Sequence, residues 1–182
     1  LNQGGQLVQF WDGADQTGNG TVDGGDGAWS AANTNWTGAP GQADINDRWR
    51  GEVGVFAGTV GAVTTSGPLS FQGLQFKTDG YRLAGDALTM TGDAHGNAAA
   101  SFVNVDGGVT ATIAASLMSN GVGLDKLGNG TLVLAGANNY TGATTVAAGI
   151  LRAGGTNVFA SGSAHEVASG ALLDLNNFDQ EV

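Results

Sequence analysis

The sequence predicts an all-β fold in which short strands stack as a parallel β-helix behind an aromatic-rich N-terminal cap. Three observations lead there. Triplets ordered apolar, variable, apolar recur along the chain: Leu88-Thr89-Met90, Ala111-Thr112-Ile113, Leu132-Val133-Leu134, Leu151-Arg152-Ala153 and Leu173-Asp174-Leu175 start 23, 21, 19 and 22 residues apart. A spacing of that kind marks a coiled stack of similar units. No eleven-residue window carries apolar residues at helical period without an interrupting glycine, and Ala98-Ala99-Ala100 is too short to form a helix alone. All four tryptophans, Trp11, Trp29, Trp36 and Trp49, fall in the first fifty of 182 residues.

Residues 1–50 read as the cap. Each indole buries a large area with few rotamers to freeze, so four of them can organise a loop-rich segment that lacks regular strands. A stacked β structure needs such a cover, because an open end exposes core side chains and unpaired backbone. The same four tryptophans are also the candidate ligand contacts, as an aromatic platform of the kind that binds carbohydrate. The structural role outweighs this one, since tryptophan is more often core than contact surface.

Residues 51–182 read as circuits of the coil. Val53 and Val55 alternate, Val60 and Val63 follow, and Leu69, Phe71, Leu74 and Phe76 recur at steps of two or three, punctuated by glycines and by Asp79-Gly80. In each triplet the outer members face one way and the middle member the other. Thr89, Thr112, Val133, Arg152 and Asp174 are therefore expected in one outward row, with Arg152 and Asp174 as neighbours able to pair. A circuit of roughly twenty residues holds about three short strands, each beside its counterpart at ~4.8 Å.

Composition excludes several classes. Sixteen acidic against six basic residues give a net charge of −10, which opposes nucleic acids and anionic lipid surfaces. Without cysteine there is no disulfide, thiol nucleophile or cysteine metal cluster, which suits a chain exported unfolded through an oxidising compartment. No run of eighteen apolar residues exists, and Leu1-Asn2-Gln3-Gly4-Gly5 lacks the regions of a signal peptide. The 33 glycines sit among short apolar clusters and serve turns in an ordered chain.

The stretch 121–154 carries a specific resemblance. Leu124-Asp125-Lys126, then Gly128-Asn129-Gly130-Thr131-Leu132-Val133-Leu134, Gly136-Ala137-Asn138-Asn139-Tyr140-Thr141-Gly142, Thr144-Thr145-Val146 and Gly149-Ile150-Leu151 resemble the autotransporter-associated β-strand repeat of Gram-negative type V passenger domains. Residues 167–182 resemble the opening of a further repeat, cut off at 182. Trp11-Asp12-Gly13, Trp29, Asn35-Trp36 and the block Gly73-Leu74-Gln75-Phe76 to Asp79-Gly80-Tyr81 are similar to segments that precede such repeats. The resemblance implies a right-handed parallel β-helix at the bacterial surface, normally followed by a C-terminal outer-membrane β-barrel. No barrel-type strands occur in these residues, so no membrane insertion is expected of them.

Chemistry has little support. His95 and His165 lie in polar, turn-like stretches, and no serine has the Gly-x-Ser-x-Gly setting. Asp23-Gly24-Gly25-Asp26-Gly27 resembles a calcium-binding β-roll turn, but that motif works by repetition and occurs once here, so a solvated turn is expected. Asn19, Asn35, Asn129 and Asn139 satisfy the glycosylation pattern and are expected instead in turns, where asparagine tolerates positive φ. The basic residues Arg48, Arg50, Lys77, Arg82, Lys126 and Arg152 do not cluster on one row, and no second carboxylate aligns with Asp174 in the triplets compared. The expectation is a non-enzymatic surface scaffold without cofactor or metal, adhering to a host-cell surface, matrix component or another bacterial cell. The alternatives are a polysaccharide-active β-helix enzyme, and a secretion and folding scaffold with no ligand of its own.

Overall fold

The computed structural model describes residues 2–3 and 6–181, all of them strand, turn or irregular. Leu1, Gly4, Gly5 and Val182, where the expectations about the chain's two ends fall, lie outside the described residues. The first strands are β1 (Asn2–Gln3), β2 (Gln6–Trp11), β3 (Gly27–Ser30) and β4 (Trp36–Thr37). Three passes of three strands follow: β5 (Val53–Phe56), β6 (Ala62–Ser66) and β7 (Leu69–Phe71); β8 (Gly73–Phe76), β9 (Arg82–Gly85) and β10 (Leu88–Met90); β11 (Ala100–Val105), β12 (Thr110–Ile113) and β13 (Leu117–Met118). Passes of two strands come last: β14 (Gly123–Leu127) and β15 (Thr131–Leu134), β16 (Thr144–Val146) and β17 (Ile150–Ala153), β18 (His165–Val167) and β19 (Leu172–Asp174).

The chain visits three sheets in turn. One runs β2-β5-β8-β11-β14-β16-β18 with β1 and β4 on β2, one runs β3-β6-β9-β12-β15-β17-β19, and a short one runs β7-β10-β13. Every pairing among the described strands is parallel except those of β2 with β1 and with β4. Each strand thus lies beside its counterpart one pass earlier, the arrangement that a twenty-residue repeat of short strands requires.

Alternation sets which side chains fill the interior. Leu132 and Leu134 of β15 are buried and pair with Ala111 and Ile113 below and Leu151 and Ala153 above, all wholly buried. Thr112, Val133, Arg152 and Asp174 form the outward row. The expected pair is present, with Arg152 Nε donating to Asp174 Oδ2 at 2.7 Å. That bond, then the Asn176 backbone N–H, holds the Asp174 carboxyl below the usual carboxylate range.

Leu88-Thr89-Met90 stacks elsewhere than expected. It forms β10 of the short sheet, between Leu69-Ser70-Phe71 and Leu117-Met118. The place beneath Thr112 and Ile113 belongs to Arg82 and Leu83. The apolar-variable-apolar order recurs on every face, and an inserted loop at 91–99 lengthens that pass, so a step of 23 residues joined two different faces.

The short sheet ends at β13, yet its position persists through side chains. Asn138 Oδ1 accepts from the Leu117 N–H at 2.7 Å and Asn138 Nδ2 donates to the Val158 carbonyl at 2.7 Å. Gln180 repeats the device: its Oε1 accepts from Val158 N–H and Phe159 N–H, and its Nε2 donates to the Gly155 carbonyl. In each case a side-chain amide, buried at Asn138 and half-buried at Gln180, supplies the donor and acceptor that a strand would have provided.

Candidate functional site

The N-terminal end is built from indoles. Trp11, Trp29 and Trp36 are wholly buried, and Trp49 is half-buried against them. Trp36 sits at the centre, 5.3 Å from Trp11, 5.1 Å from Trp29, 4.4 Å from Trp49 and 5.6 Å from Phe56 between ring centroids. Phe56 stacks on Phe76 of the next pass at 4.9 Å. None of Trp11, Trp29 or Trp36 presents a ring face to solvent. The segment is also richer in strand than its composition suggested, because β2 and β3 extend the two long sheets into it.

Backbone packing ties this end to the coil. The Tyr81 hydroxyl lies 2.9 Å from the Ala57 carbonyl and 2.6 Å from that of Thr59, and accepts from the Gly25 N–H at 3.1 Å. Gly24 has φ +69°, and a Cβ there would fall 2.2 Å from the Ala57 oxygen and 2.4 Å from the Tyr81 hydroxyl, so only glycine fits. Trp11 Nε1 donates to the Gly25 carbonyl at 2.9 Å.

The loop from 12 to 23 gathers three carboxylates. Oxygens of Asp12, Asp15 and Asp23 lie within 4.8 Å of one another. Donors of the protein meet each of them. Asp12, which is buried, accepts from the Asp23 N–H and from Asn46 Nδ2, both at 2.8 Å. Asp15 accepts from the Thr17 N–H and hydroxyl and from Asn19 Nδ2. Asp23 accepts from the Thr21 hydroxyl and Asn19 Nδ2, which hold its carboxyl below the usual range. These oxygens are the set that would take a hard cation. Sequence reasoning had grouped Asp23 with Asp26, whose Oδ1 accepts from the Ala62 N–H instead. Asp12 and Asp15 join through loop geometry, which no local motif announces.

Lys126, one of the six basic residues and part of the Leu124-Asp125-Lys126 lead-in to the repeat, is wholly buried. It pairs with Val103 and Val146 on the inward face of β14. Its Nζ donates to the carbonyls of Leu127 at 2.8 Å, Gly128 at 2.7 Å and Ala148 at 3.1 Å. Burial pulls its pKa down to about 8. The signal was present in the sequence: Lys126 lies two residues from inward Leu124, so a period of two places it inside.

The remaining candidates separate. His95 is exposed in the 91–99 loop, its N–H donating to Asp93 Oδ1. His165 is not in a turn: it is half-buried in β18, beside Thr144 and 5.9 Å from the Phe159 ring, and burial pushes its pKa below the ordinary histidine value. Ser163 bonds Thr144, whose hydroxyl also meets Tyr140, in a buried chain with spacings of 2.8 Å. Asn35 is buried and donates to the Gly13 and Ala28 carbonyls, which closes it to glycosylation. The asparagines at positive φ are Asn157, Asn176 and Asn177 rather than the four that fit that pattern.

One outward row carries two carboxylates, Asp125 and Glu166, with Thr145 between them. Neither lines the two concavities described here, of about 240 Å³ beside Leu7, Gln9, Thr37, Ile45 and Arg50 and about 290 Å³ beside Thr89, Met118 and Asn139.

A stack of parallel passes with such an interior defines an elongated repeat protein. Residues 124–153 match the passenger-associated-transport-repeat, within the 121–154 stretch that resembled it. The chain is 37% identical over 192 residues to the adhesin BmaC autotransporter of Brucella suis biovar 1 (strain 1330), a match covering 96% of this chain and 5% of that protein. Together these findings identify the chain as autotransporter passenger sequence, whose place is outside the cell, held at the outer membrane or released. The chain spans about 5% of the length of the curated relative that it matches. No solved structure matches it.

Proposed function

We propose that the chain is a right-handed parallel β-helix segment that serves as a rigid adhesive scaffold at the bacterial surface. Residues 1–50 act as its cap and 51–182 as its circuits, within a protein that also carries an outer-membrane β-barrel. The observation that carries the reading is the unbroken in-register pairing from β2 to β18 and from β3 to β19. Such a ladder resists bending and presents fixed outward rows, which suits contact over a broad surface better than enclosure of a small substrate. The adhesin name of the relative agrees with this role. The partner is a host-cell surface, a matrix component or another bacterial cell.

Purified chain should bind immobilised matrix proteins or whole cells saturably at micromolar concentration, and should release no reducing ends from defined polysaccharides. Absence of saturable binding would leave only the secretion scaffold. Release of reducing ends that is lost in Glu166→Gln would establish the polysaccharide-active enzyme instead. Trp29→Ala and Trp36→Ala are unsuitable as binding probes, because both rings are buried and their loss acts on the fold.

A further inference from the structure

The short sheet stops partway along the stack, and the stop leaves a bay on its flank. β13 is the last strand there, yet its outer edge is closed: the Leu117 N–H donates to Asn138 Oδ1, and the Leu117 carbonyl accepts from the Asn139 N–H at 3.1 Å. Asn138 is buried, so alternation turns Asn139 outward, where it is exposed. Thr89 and Met118 are neighbours in register on β10 and β13. With Ser119, Asn120 and Asn139 they line the concavity of about 290 Å³. Passes of the chain lie on both sides of it, so neither chain end creates it.

The lining decides what the bay can take. It contains no ionisable side chain, and the chain carries a net charge of −10, so a sulfate, carboxylate or phosphate gains no partner there and is repelled. A β-strand is barred, because the edge groups of Leu117 are already paired. An apolar chain finds one match, Met118, which is 39% exposed. What the bay holds in excess is paired donor and acceptor capacity. The side chains of Thr89, Asn120 and Asn139 make no hydrogen bond among the described residues, and the Ser119 hydroxyl, which donates to the Val122 carbonyl, keeps lone pairs to accept. The frame is fixed in advance, since the Gly121 N–H donates to Thr141 Oγ1 at 3.0 Å and ties this corner to the following pass.

We propose that the bay binds uncharged saccharide, as the end of a glycan displayed on a surface. A pyranose presents hydroxyls that both donate and accept, which the amides of Asn120 and Asn139 and the Thr89 hydroxyl match. It also presents an apolar C–H face, which the polarisable Met118 thioether covers. The volume is near the lower limit of roughly 300 Å³ for ligand sites, enough for a terminal sugar and too little for a long segment. The inference rests on the adhesive reading and gives it a ligand class.

The chain has two methionines, and Met90 is buried at 2% exposure, so isotope-labelled methionine methyls observed by NMR separate the bay from the core. The labelled chain is titrated with methyl glycosides of glucose, galactose, mannose and fucose, with N-acetylglucosamine, and with glucuronic acid and a sulfated glucose as charged comparators. The Met118 methyl should shift saturably with at least one neutral sugar, while Met90 holds its position and the charged pair has no effect. Asn120→Ala and Asn139→Ala, at exposed positions, should each weaken that binding by about tenfold with an unchanged melting temperature, whereas Thr112→Ala, on another sheet, should not. Immobilised host-type neutral glycans and bacterial surface polysaccharides then distinguish the two sources of such a sugar, and capture on either supports the site. A Met118 signal that no neutral sugar moves, an equal response to the charged pair, or full affinity in both asparagine variants would overturn the bay, even if the chain still bound cells. A Met118 response in a chain that binds no cell or matrix would keep the bay and overturn the adhesive role.

Discussion

Replacing Trp36 by alanine is expected to lower the unfolding free energy by about 3–5 kcal/mol, the cost of removing a large buried aromatic without full collapse around the hole. Trp36 meets three indoles and Phe56, so its loss leaves four rings without their common neighbour. Those rings also close the first pass, and in a stack each pass is held mainly by the next, so the damage should spread from that end. Urea unfolding followed by tryptophan fluorescence and by far-UV circular dichroism reads both effects. The fluorescence transition should move to lower urea first, with Trp36→Phe between wild type and alanine. A loss below about 1 kcal/mol would mean that the ring cluster collapses without cost and does not hold the end of the stack.

Lys126→Met should cost about 2–4 kcal/mol, although methionine fills much of the same volume. Three carbonyls, of Leu127, Gly128 and Ala148, lose the ammonium that satisfies them, and a buried acceptor left unpaired costs roughly 1–3 kcal/mol. The exposed Lys77→Met change, which removes only an ion pair with Asp106, should stay within about 0.5 kcal/mol. Alkaline pH gives a second readout. The unfolded chain keeps a lysine proton to about 10.4, whereas the folded chain sheds that of Lys126 near 8. Between these values the unfolded state binds more protons, so stability should rise with pH from about 8. Burial pushes Tyr140 up to about 12 and raises Tyr81 as well, so above about 10 these tyrosines hold protons that the unfolded chain loses, and stability falls again. The rise should vanish in Lys126→Met. A melting temperature flat from pH 8 to 10 in the wild type would contradict the buried placement of Lys126.

How far the sequence could be read follows from what each feature depends on. Alternation within a strand is local, so the inward Leu132, Leu134, Leu151 and Ala153 and the Arg152–Asp174 pair were legible from a period of two and a step of 22 residues. Stacking across passes is not local. The Leu88 triplet was assigned to the wrong face because the same apolar order appears in all three sheets and the 91–99 loop changed the count. Lys126 obeys the period of two, but its burial depends on the carbonyls of Leu127, Gly128 and Ala148, which converge only in the folded stack. Asn138 and Gln180 stand in for strand through side-chain amides, and no spacing announces that. The meeting of Asp12 and Asp15 with Asp23 depends on the path of a loop. The indoles were recognisable as structural, yet their strands were not, since β2 and β3 are embedded in glycine-rich sequence and acquire their pairing from the passes above.

The central claim is a coil in which each pass advances by one strand spacing. Because the chain has no cysteine, paired spin labels at single introduced cysteines measure that advance directly. Ala62, Arg82, Thr112, Val133, Arg152 and Asp174 occupy successive places in one outward row. At ~4.8 Å per step, backbone separations of about 19 Å for the Ala62–Arg152 pair and about 24 Å for the Ala62–Asp174 pair are expected by electron-electron resonance, label offset aside. Narrow distributions that lengthen by one strand spacing between the two pairs are the result this architecture predicts. Distances that are broad, or that fail to grow with each added pass, would contradict it.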